Sequence, residues 1–241
     1  MFLKHCNKIV ILVVALLFLS CSLSLGESQQ TSGVTAQTII NNAKYEYLND
    51  TDGDYWSDDS RLLTILNRGI IEVASLTKCL ETVEKVVLLT GITEYAISSS
   101  YLNVEKAIYS GTTTQYNSST LKGLQRIDLK NLANSENVGE PVRFYVWNDH
   151  VGIDPEPSSS VSGYAVYLYL IEKPTAITLT GTIPTPAIYD HALTLFVSYQ
   201  ALKKDRNINL SSVLQQEYIA EIARYREDFI DRLRNPTKEK L

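Results

Sequence analysis

The 241-residue chain is poor in cysteine and in basic residues. Three cysteines are too few for the disulfide framework of a small secreted scaffold. The 22 lysines and arginines face 27 aspartates and glutamates, and the formal charge of −5 argues against nucleic-acid binding through bulk positive charge. Eleven glycines and seven prolines exclude a collagen-like chain, and 44% hydrophobic residues exclude a wholly disordered one.

Sequence motifs of common enzyme and metal sites are absent as well. The chain has no GxSxG, GxxxxGKS or GxGxxG segment, and its histidines lack HxxxH or HExxH spacing. We expect His150 in a turn and His191 near a helix start to be surface or capping residues. Cys79 is expected to be a small core residue rather than a nucleophile. The sequence therefore predicts no catalytic residue, no cofactor-binding residue, no metal ligand and no enzyme activity.

Three aspartates at alternate positions, Asp50, Asp52 and Asp54, resemble the start of a calcium-binding loop. An EF-hand loop that began at Asp50 would need glycine at its sixth position and glutamate at its twelfth. This chain has Tyr55 and Arg61 there. We therefore interpret the segment as a tight interhelical turn with capping carboxylates.

The one long apolar run of the sequence lies near its N-terminus. Two lysines precede eleven apolar residues, 9–19, and small or polar residues follow as far as Gly26, which is the layout of a signal peptide over residues 1–26. Eleven residues are too few for a permanent membrane span. A lipoprotein leader with Cys21 as the lipid-carrying residue is the alternative. Either leader predicts export to the periplasm or the extracellular space, and cleavage after Gly26 would leave no membrane contact.

Helical periodicity is strong at the start of the mature chain. Residues 35–48 predict a first amphipathic helix, and a second follows the aspartate-rich turn. Ser57 is the expected N-cap of the second helix, because a serine side chain readily accepts a hydrogen bond from the first turn. The expected buried stripe of that helix is Leu62, Leu66, Ile70 and Val73.

A second pair of helices is predicted near the C-terminus. Pro186 fits the first turn of one helix, residues 203–210 form a short polar link, and residues 212–215 resemble a capping box that opens the last helix. Opposite charges recur at i+3 and i+4 on the outer face of the last helix. Its expected buried stripe is Leu214, Tyr218, Ile222, Tyr225, Phe229 and Leu233.

The middle of the chain has the pattern of a small antiparallel sheet or sandwich. Short β-branched or aromatic segments alternate with Gly, Ser, Thr and Asn clusters. The predicted strands are residues 83–89, 93–98, 104–109, 141–147, 151–153 and 164–171. Residues 164–171 carry no polar group except tyrosine hydroxyls, so we expect this strand to be covered on both faces. Residues 121–134 are ambiguous between strand and short helix.

These patterns together predict an α+β protein. An N-terminal and a C-terminal helix pair would form one helical bundle, with an antiparallel β domain inserted between them. The predicted divisions are a signal peptide at 1–26, the first helix pair at 27–80, the β-rich insertion at 81–183, and the second helix pair with a tail at 184–241.

Tyrosine is unusually frequent, with 15 against five phenylalanines and two tryptophans. Tyr164, Tyr167 and Tyr169 on one predicted strand, with Tyr145 and Trp147 on another, would suit an aromatic sugar-binding face. Cross-strand packing of the rings is the interpretation we favour, because aromatic pairs stabilise sheets by up to about 1 kcal/mol each.

Several segments resemble the head–tail connector adaptor proteins of short-tailed phages. Residues 48–58 (LNDTDGDYWSD) are similar to the N-terminal signature of that family. Residues 141–155 are similar to its strand–turn–strand ahead of a proline-rich loop. Residues 189–193 and 201–205 look like its penultimate helix, and residues 216–229 like its charged last helix. The resemblance covers most of the chain from about residue 35 to 234, in the expected order.

The resemblance implies a structural protein of the virion head–tail junction. Family members form a ring of their own copies, usually a dodecamer, beneath the portal of the DNA-filled head. It also implies a portal protein and a tail or nozzle protein as partners, and no sequence-specific nucleic-acid binding. Residues 212–234 and the tail would face the portal, and residues 83–171 would face the tail. The leader departs from the family pattern, because a virion adaptor assembles in the cytoplasm.

Two other functions stay open from the residues. The leader pattern favours an exported binding or structural protein on an adaptor-like scaffold. An exported hydrolase would need two converging carboxylates, and the pairs Asp58/Asp59 and Glu227/Asp228 are adjacent in sequence and do not converge on one site.

Overall fold

The computed structural model describes residues 31–50, 56–97, 100–111, 121–131 and 137–225. Across these residues the protein is an α+β structure with four α-helices and mainly antiparallel sheets, as the sequence predicts. The predicted leader at 1–26, with Cys21, lies outside the described residues.

The first helix, α1 (Ala36–Ala43), continues as a π-helical turn (Lys44–Leu48). The side chain of Thr35 caps its N-terminus by accepting a hydrogen bond from the Thr38 backbone N–H. Asn49 ends the helical segment with a left-handed backbone (φ 51°), a conformation that asparagine tolerates better than most residues. The predicted first helix is therefore confirmed, with its last turn in π geometry.

The second helix, α2 (Asp59–Thr77), buries the predicted stripe. Its N-cap is Asp58, whose carboxylate accepts from the Ser60 backbone N–H at 2.9 Å. The prediction of Ser57 as the cap was wrong by one residue. The reason is geometric, because an N-cap side chain must reach the amide two or three positions ahead, and Asp58 makes that bond to Ser60.

The C-terminal pair consists of α3 (Asp190–Lys204) and α4 (Ile208–Tyr225). The predicted link at 203–210 is shorter in the structure, and the predicted capping box at 212–215 is not a helix start. Ser212 lies inside α4, where its hydroxyl donates to the Ile208 carbonyl at 2.8 Å. Phe229 and Leu233 of the predicted stripe lie outside the described residues.

The strands form two four-stranded sheets and a small parallel pair. The strands are β1 (Glu81–Val87), β2 (Glu94–Ala96), β3 (Tyr101–Ser110), β4 (Leu121–Gly123), β5 (Gln125–Arg126), β6 (Val138–Gly139), β7 (Arg143–Trp147), β8 (His150–Asp154), β9 (Glu156–Pro157) and β10 (Ala165–Glu172). The first sheet has the order β1-β10-β3-β4 and the second β2-β8-β7-β5. All pairs are antiparallel except β5 with β7 and β6 with β9.

Residues 121–134, ambiguous in sequence, contribute β4, β5 and a 3-10 turn (Leu129–Asn131) within their described part. The predicted turn after β7 is confirmed. Asn148 and Asp149 both have positive φ (46° and 62°), as the two-residue hairpin turn requires.

Two hydrophobic cores organise these elements. The helical core draws on all four helices, and α3 lies centrally, because every residue from 192 to 199 is buried. The sheet core joins side chains of both four-stranded sheets, including Tyr109 and Leu168 from the first sheet and Phe144 and Ile153 from the second. The β insertion is therefore a two-layered sandwich with its apolar faces turned inward.

The segment after β10 returns along the helical core. Ile177, Leu179 and Ile183 pack against that core. Asn67 of α2 holds the segment with both ends of its amide, since Nδ2 donates to the Ile177 carbonyl at 3.1 Å and Oδ1 accepts from the Ile177 N–H at 2.8 Å. The amide thus takes the place of a backbone partner for this loop.

Candidate interaction site

A buried carboxylate joins the two described ends of the aspartate-rich segment. Asp50 is buried, and its Oδ2 accepts a hydrogen bond from the Trp56 N–H at 2.9 Å. Asp50 therefore acts as a capping carboxylate, as predicted, whereas residues 51–55 of the predicted turn lie outside the described residues. Asp52 and Asp54 lie outside the described residues. In the described parts of the chain, no three His, Cys, Asp or Glu side chains cluster as metal ligands do.

The other residues considered for chemistry lie apart. His150 has its Nδ1 2.9 Å from the Asn148 carbonyl in the β7–β8 hairpin, and His191 is exposed in the first turn of α3. Cys79 is buried in the helical core, as predicted. Burial raises the pKa of its thiol to about 11, so the reactive thiolate is disfavoured at neutral pH. The structure does not bring these three groups together.

The aromatic residues of the proposed sugar-binding face lie in two different sheets. Tyr145 packs its ring over Gly152 and donates its hydroxyl to Glu94 at 2.9 Å, and Trp147 at the hairpin is 61% exposed. Tyr167 and Tyr169 belong to β10 of the other sheet. A single aromatic face over both strands, as the sugar-binding hypothesis required, is therefore not formed.

The C-terminal helix is positioned by a cluster of aromatic rings. Phe196 and Tyr199 of α3 contact Tyr218 of α4 with ring centroids 5.5 Å and 5.8 Å away. The hydroxyl of Tyr218 reaches Oε1 of Glu72 on α2 at 3.3 Å. One side chain thus joins three helices, so the direction in which α4 leaves the bundle is set by packing.

An ion pair joins the first helical segment to the start of α2. Lys44 of the π-helical turn binds the Asp59 carboxylate, and Gln37 donates to Asp59 Oδ2 at 2.8 Å. Burial alone would raise the pKa of Asp59, but the hydrogen bonds from Lys44 and Gln37 outweigh it and lower that pKa. The sequence did not reveal this pair, because its partners lie on different helices.

The first sheet turns one face away from the sandwich core. On that face Val83 of β1 lies opposite Tyr169 of β10, which lies opposite Lys106 of β3. Val83 is 52% exposed and Val87 45% exposed. We call the following six residues the outer sheet face: Val83, Lys85, Val87, Lys106, Tyr167 and Tyr169.

The outer sheet face was missed in the sequence for a specific reason. Strand β1 carries valines on both faces, and only Val86 points into the core, while Val83 and Val87 point away from it. The expectation that strand 164–171 is covered on both faces holds fully for one face and in part for the other, where Ala165 and Ile171 are buried at the ends of the strand. Val166 and Leu168 are buried, whereas Tyr167 and Tyr169 are only partly covered.

A family model described as SU10 adaptor protein matches residues 34–238 of the chain. The match extends over both helix pairs and the whole β insertion. No curated protein matches the chain. Over the described residues, no helix combines the length and the apolar character that crossing a membrane requires.

Proposed function

The chain belongs to the SU10 adaptor protein family of phage structural adaptors, and from this premise we propose that it forms a ring that links the portal to the tail at the head–tail junction. The observation that carries the proposal is the match of one family model to the helices and the β insertion together. A dodecamer of this chain, a portal protein and a tail or nozzle protein would be the parts of that junction.

Two properties of the chain support this role. Its net negative charge suits the wall of a channel through which DNA passes, because such a wall should not hold phosphate groups. The outer sheet face offers valine and tyrosine side chains that a neighbouring protein could cover, which is typical of a subunit of an assembly.

The family resemblance implies how the subunit is oriented between the portal and the tail. The last helix and tail, residues 212–241, would dock on the portal, and the sandwich would face the tail. Packing of Tyr218 against α3 holds α4 in place, and α4 contributes residues 212–225 of this portal-facing segment.

Mixing the full chain with the portal protein encoded in the same genome tests the proposal. We expect a complex whose mass, measured by sedimentation and light scattering, corresponds to a ring of chains on the portal. A variant without residues 226–241 keeps the described helices and should lose portal binding, whereas a matched variant without residues 1–26 should keep it. A full chain that stays monomeric and ignores the portal would refute the proposal.

The leader pattern at residues 1–26 favours a second function, an exported binding or structural protein on the same scaffold. N-terminal sequencing of the protein purified from its native host separates the two functions. A mature chain that starts at Glu27 and is found outside the cytoplasm would favour export over the virion.

A further inference from the structure

Strand β1 has an open side. It is the first strand of the first sheet, and in the described parts of the chain it pairs with β10 and with no strand along its other side. With seven residues it is longer than the other edge strands of the two four-stranded sheets, since β4 and β2 have three residues each and β5 has two. An edge of this length presents backbone N–H and C=O groups with which a further strand can pair.

The register with β10 shows which backbone groups point to the open side. The Leu80 carbonyl accepts a hydrogen bond from the Glu172 N–H, and the Leu88 N–H donates to the Tyr164 carbonyl, both at 2.8 Å. In an antiparallel pair every second residue makes such bonds, and the register of β1 with β10 runs without a shift. The even-numbered residues of β1 therefore bond to β10. The N–H and C=O groups that point to the open side are those of residues 81, 83, 85 and 87.

The side chains of the same four residues are exposed. Glu81, Val83, Lys85 and Val87 alternate with residues that lie on the side of the sheet core, such as Val86. Charges on an edge strand ordinarily hinder pairing, because like charges of two chains meet. Here a negative charge stands two residues before Val83 and a positive charge two residues after it. This symmetry allows a second copy of β1 to bring opposite charges together.

We propose that β1 pairs with β1 of a second copy of the chain, antiparallel and centred on Val83. In this register Val83 lies opposite Val83 of the other copy, and Glu81 of each copy lies opposite Lys85 of the other. Residues directly opposite each other in an antiparallel pair have Cβ atoms about 4.5–5.5 Å apart, so both charge pairs are within reach. The two four-stranded first sheets thereby become one continuous antiparallel sheet.

Other registers of the same two strands are unfavourable. A pair centred on Glu84 places two glutamates opposite each other, and a pair centred on Lys85 places two lysines opposite each other. Parallel pairing in register aligns every charge with its own copy. It also places the two α2 helices, each of which leads into β1, at the same end of the pair. Antiparallel pairing centred on Val83 avoids these like-charge contacts and places the helical parts at opposite ends.

The pairing does not depend on the proposed ring. It relates two copies by a twofold axis, and such a contact closes on itself as a dimer, so it neither forms nor extends a ring. The contact between two seven-residue strands is small. Small interfaces belong to weak associations, so we expect the full chain without the portal to dimerise with a dissociation constant of about 1–100 μM.

Exchange of the charges tests the register. In a Lys85→Glu variant each Glu81 faces a glutamate, so two attractive pairs become repulsive and the chain should dimerise roughly a hundredfold more weakly. A variant with both Glu81→Lys and Lys85→Glu again places a lysine opposite a glutamate and should recover the dimer. Lys203→Glu has the same charge change at an exposed residue of α3 and should dimerise as the unchanged chain does. Sedimentation equilibrium over a range of concentrations, without the portal, measures each dissociation constant.

A proline tests the backbone bonds. The Val83 N–H points away from β10, and proline is tolerated in an edge strand where the N–H would face solvent. Val83→Pro should therefore keep the circular dichroism of the unchanged chain and stay monomeric at concentrations at which the unchanged chain is a dimer. Val83→Thr is the matched control, because it keeps both the N–H and a β-branched side chain, and it should still dimerise.

Four results would each overturn the pairing. The first is an unchanged chain that is still monomeric at about 1 mM. The second is a Lys85→Glu or Val83→Pro variant that dimerises as well as the unchanged chain. The third is a double charge exchange that does not recover the dimer, and the fourth is a Lys203→Glu variant that is weakened as much as the Lys85→Glu variant.

Binding to the portal protein of the same genome separates this inference from the proposed function. We expect the unchanged chain and the Lys85→Glu variant to bind the portal equally well. Loss of portal-bound rings in the Lys85→Glu variant would assign the edge of β1 to a ring contact and overturn the twofold pairing. An unchanged chain that dimerises but ignores the portal would support the pairing and count against the proposed function.

Discussion

Gly69 lies where α2 packs closely against α3. A Cβ atom added there would lie 2.7 Å from Cδ1 of Phe196, whose ring is fully buried. Glycine in the interior of a helix costs about 1 kcal/mol relative to alanine. The close contact with Phe196 explains why α2 nevertheless has a glycine at this position.

Gly69→Ala should therefore destabilise the protein by about 1–3 kcal/mol, because the Phe196 ring must shift in a packed core. Urea denaturation followed by circular dichroism measures the free energy of unfolding. Gly123→Ala is the matched control, since a Cβ at that exposed position meets nothing within 4 Å. If the Gly69 variant were as stable as the unchanged protein or more stable, the Phe196 ring and the two helices would be able to accommodate the added methyl group without cost.

For single residues, the sequence predicted which side chains are buried better than it predicted which residues they contact. The stripe of α2 and the burial of Cys79 followed from periodicity and residue type. The choice of Asp58 over Ser57 as the cap did not, because both residue types can cap a helix. The next residue, Asp59, has a different role from Asp58, because its carboxylate forms an ion pair with Lys44. A local sequence pattern does not show such a contact between helices.

Among the elements, α4 differs most from its predicted bounds. The helix starts at Ile208, within the predicted link at 203–210, and Ser211 in its first turn is buried and donates its hydroxyl to the Tyr199 carbonyl at 2.9 Å. The strands β4 and β5 were ambiguous for another reason. They have three and two residues, so they show no period, and only pairing with β3 and β7 defines them.

Tyr218→Ala should cost about 3–5 kcal/mol, because it empties the space between α3 and α4. Hydrogen exchange of residues 208–225 should become much faster than that of the sandwich. Tyr218→Phe keeps the ring and loses only the hydrogen bond to Glu72, so its expected cost is about 1 kcal/mol. Equal costs in the two variants would mean that the hydroxyl, rather than the ring contacts, holds α4.

The abundance of tyrosine has a consequence for the molecule as a whole. Burial raises the pKa of Tyr145 to about 12, with a further contribution from its hydrogen bond to Glu94, and burial raises the pKa of Tyr189 to about 12. An unfolded tyrosine titrates near pH 10. The folded state therefore retains protons that the unfolded state releases, which makes stability depend on pH in alkali.

We expect the free energy of unfolding to be unaffected by these tyrosines below pH 10 and to fall as the pH rises through about 12. Urea denaturation at a series of alkaline pH values measures the fall. A double variant, Tyr145→Phe with Tyr189→Phe, should show a shallower decline because two of the responsible groups are gone. An identical slope in this variant would contradict the assignment.

The order of helix pair, sheets and helix pair was predictable from sequence, because hydrophobic period changes along the chain. The layering of the β insertion was not. Strand β1 has valines on both faces, so alternation does not say whether Val83 or Val86 is buried. Only the opposite sheet, with Phe144 and Ile153, decides which face becomes core and which becomes the outer sheet face.

The two tryptophans of the chain report on different parts of it. Trp56 is buried in the helical core, and Trp147 is 61% exposed at the β7–β8 hairpin. Intrinsic fluorescence should therefore have a blue-shifted component that a soluble quencher hardly reaches and a red-shifted component that it reaches freely. In a Trp56→Phe variant all tryptophan emission comes from Trp147. A change in that emission would therefore report binding of another protein at the β7–β8 hairpin, without an attached dye.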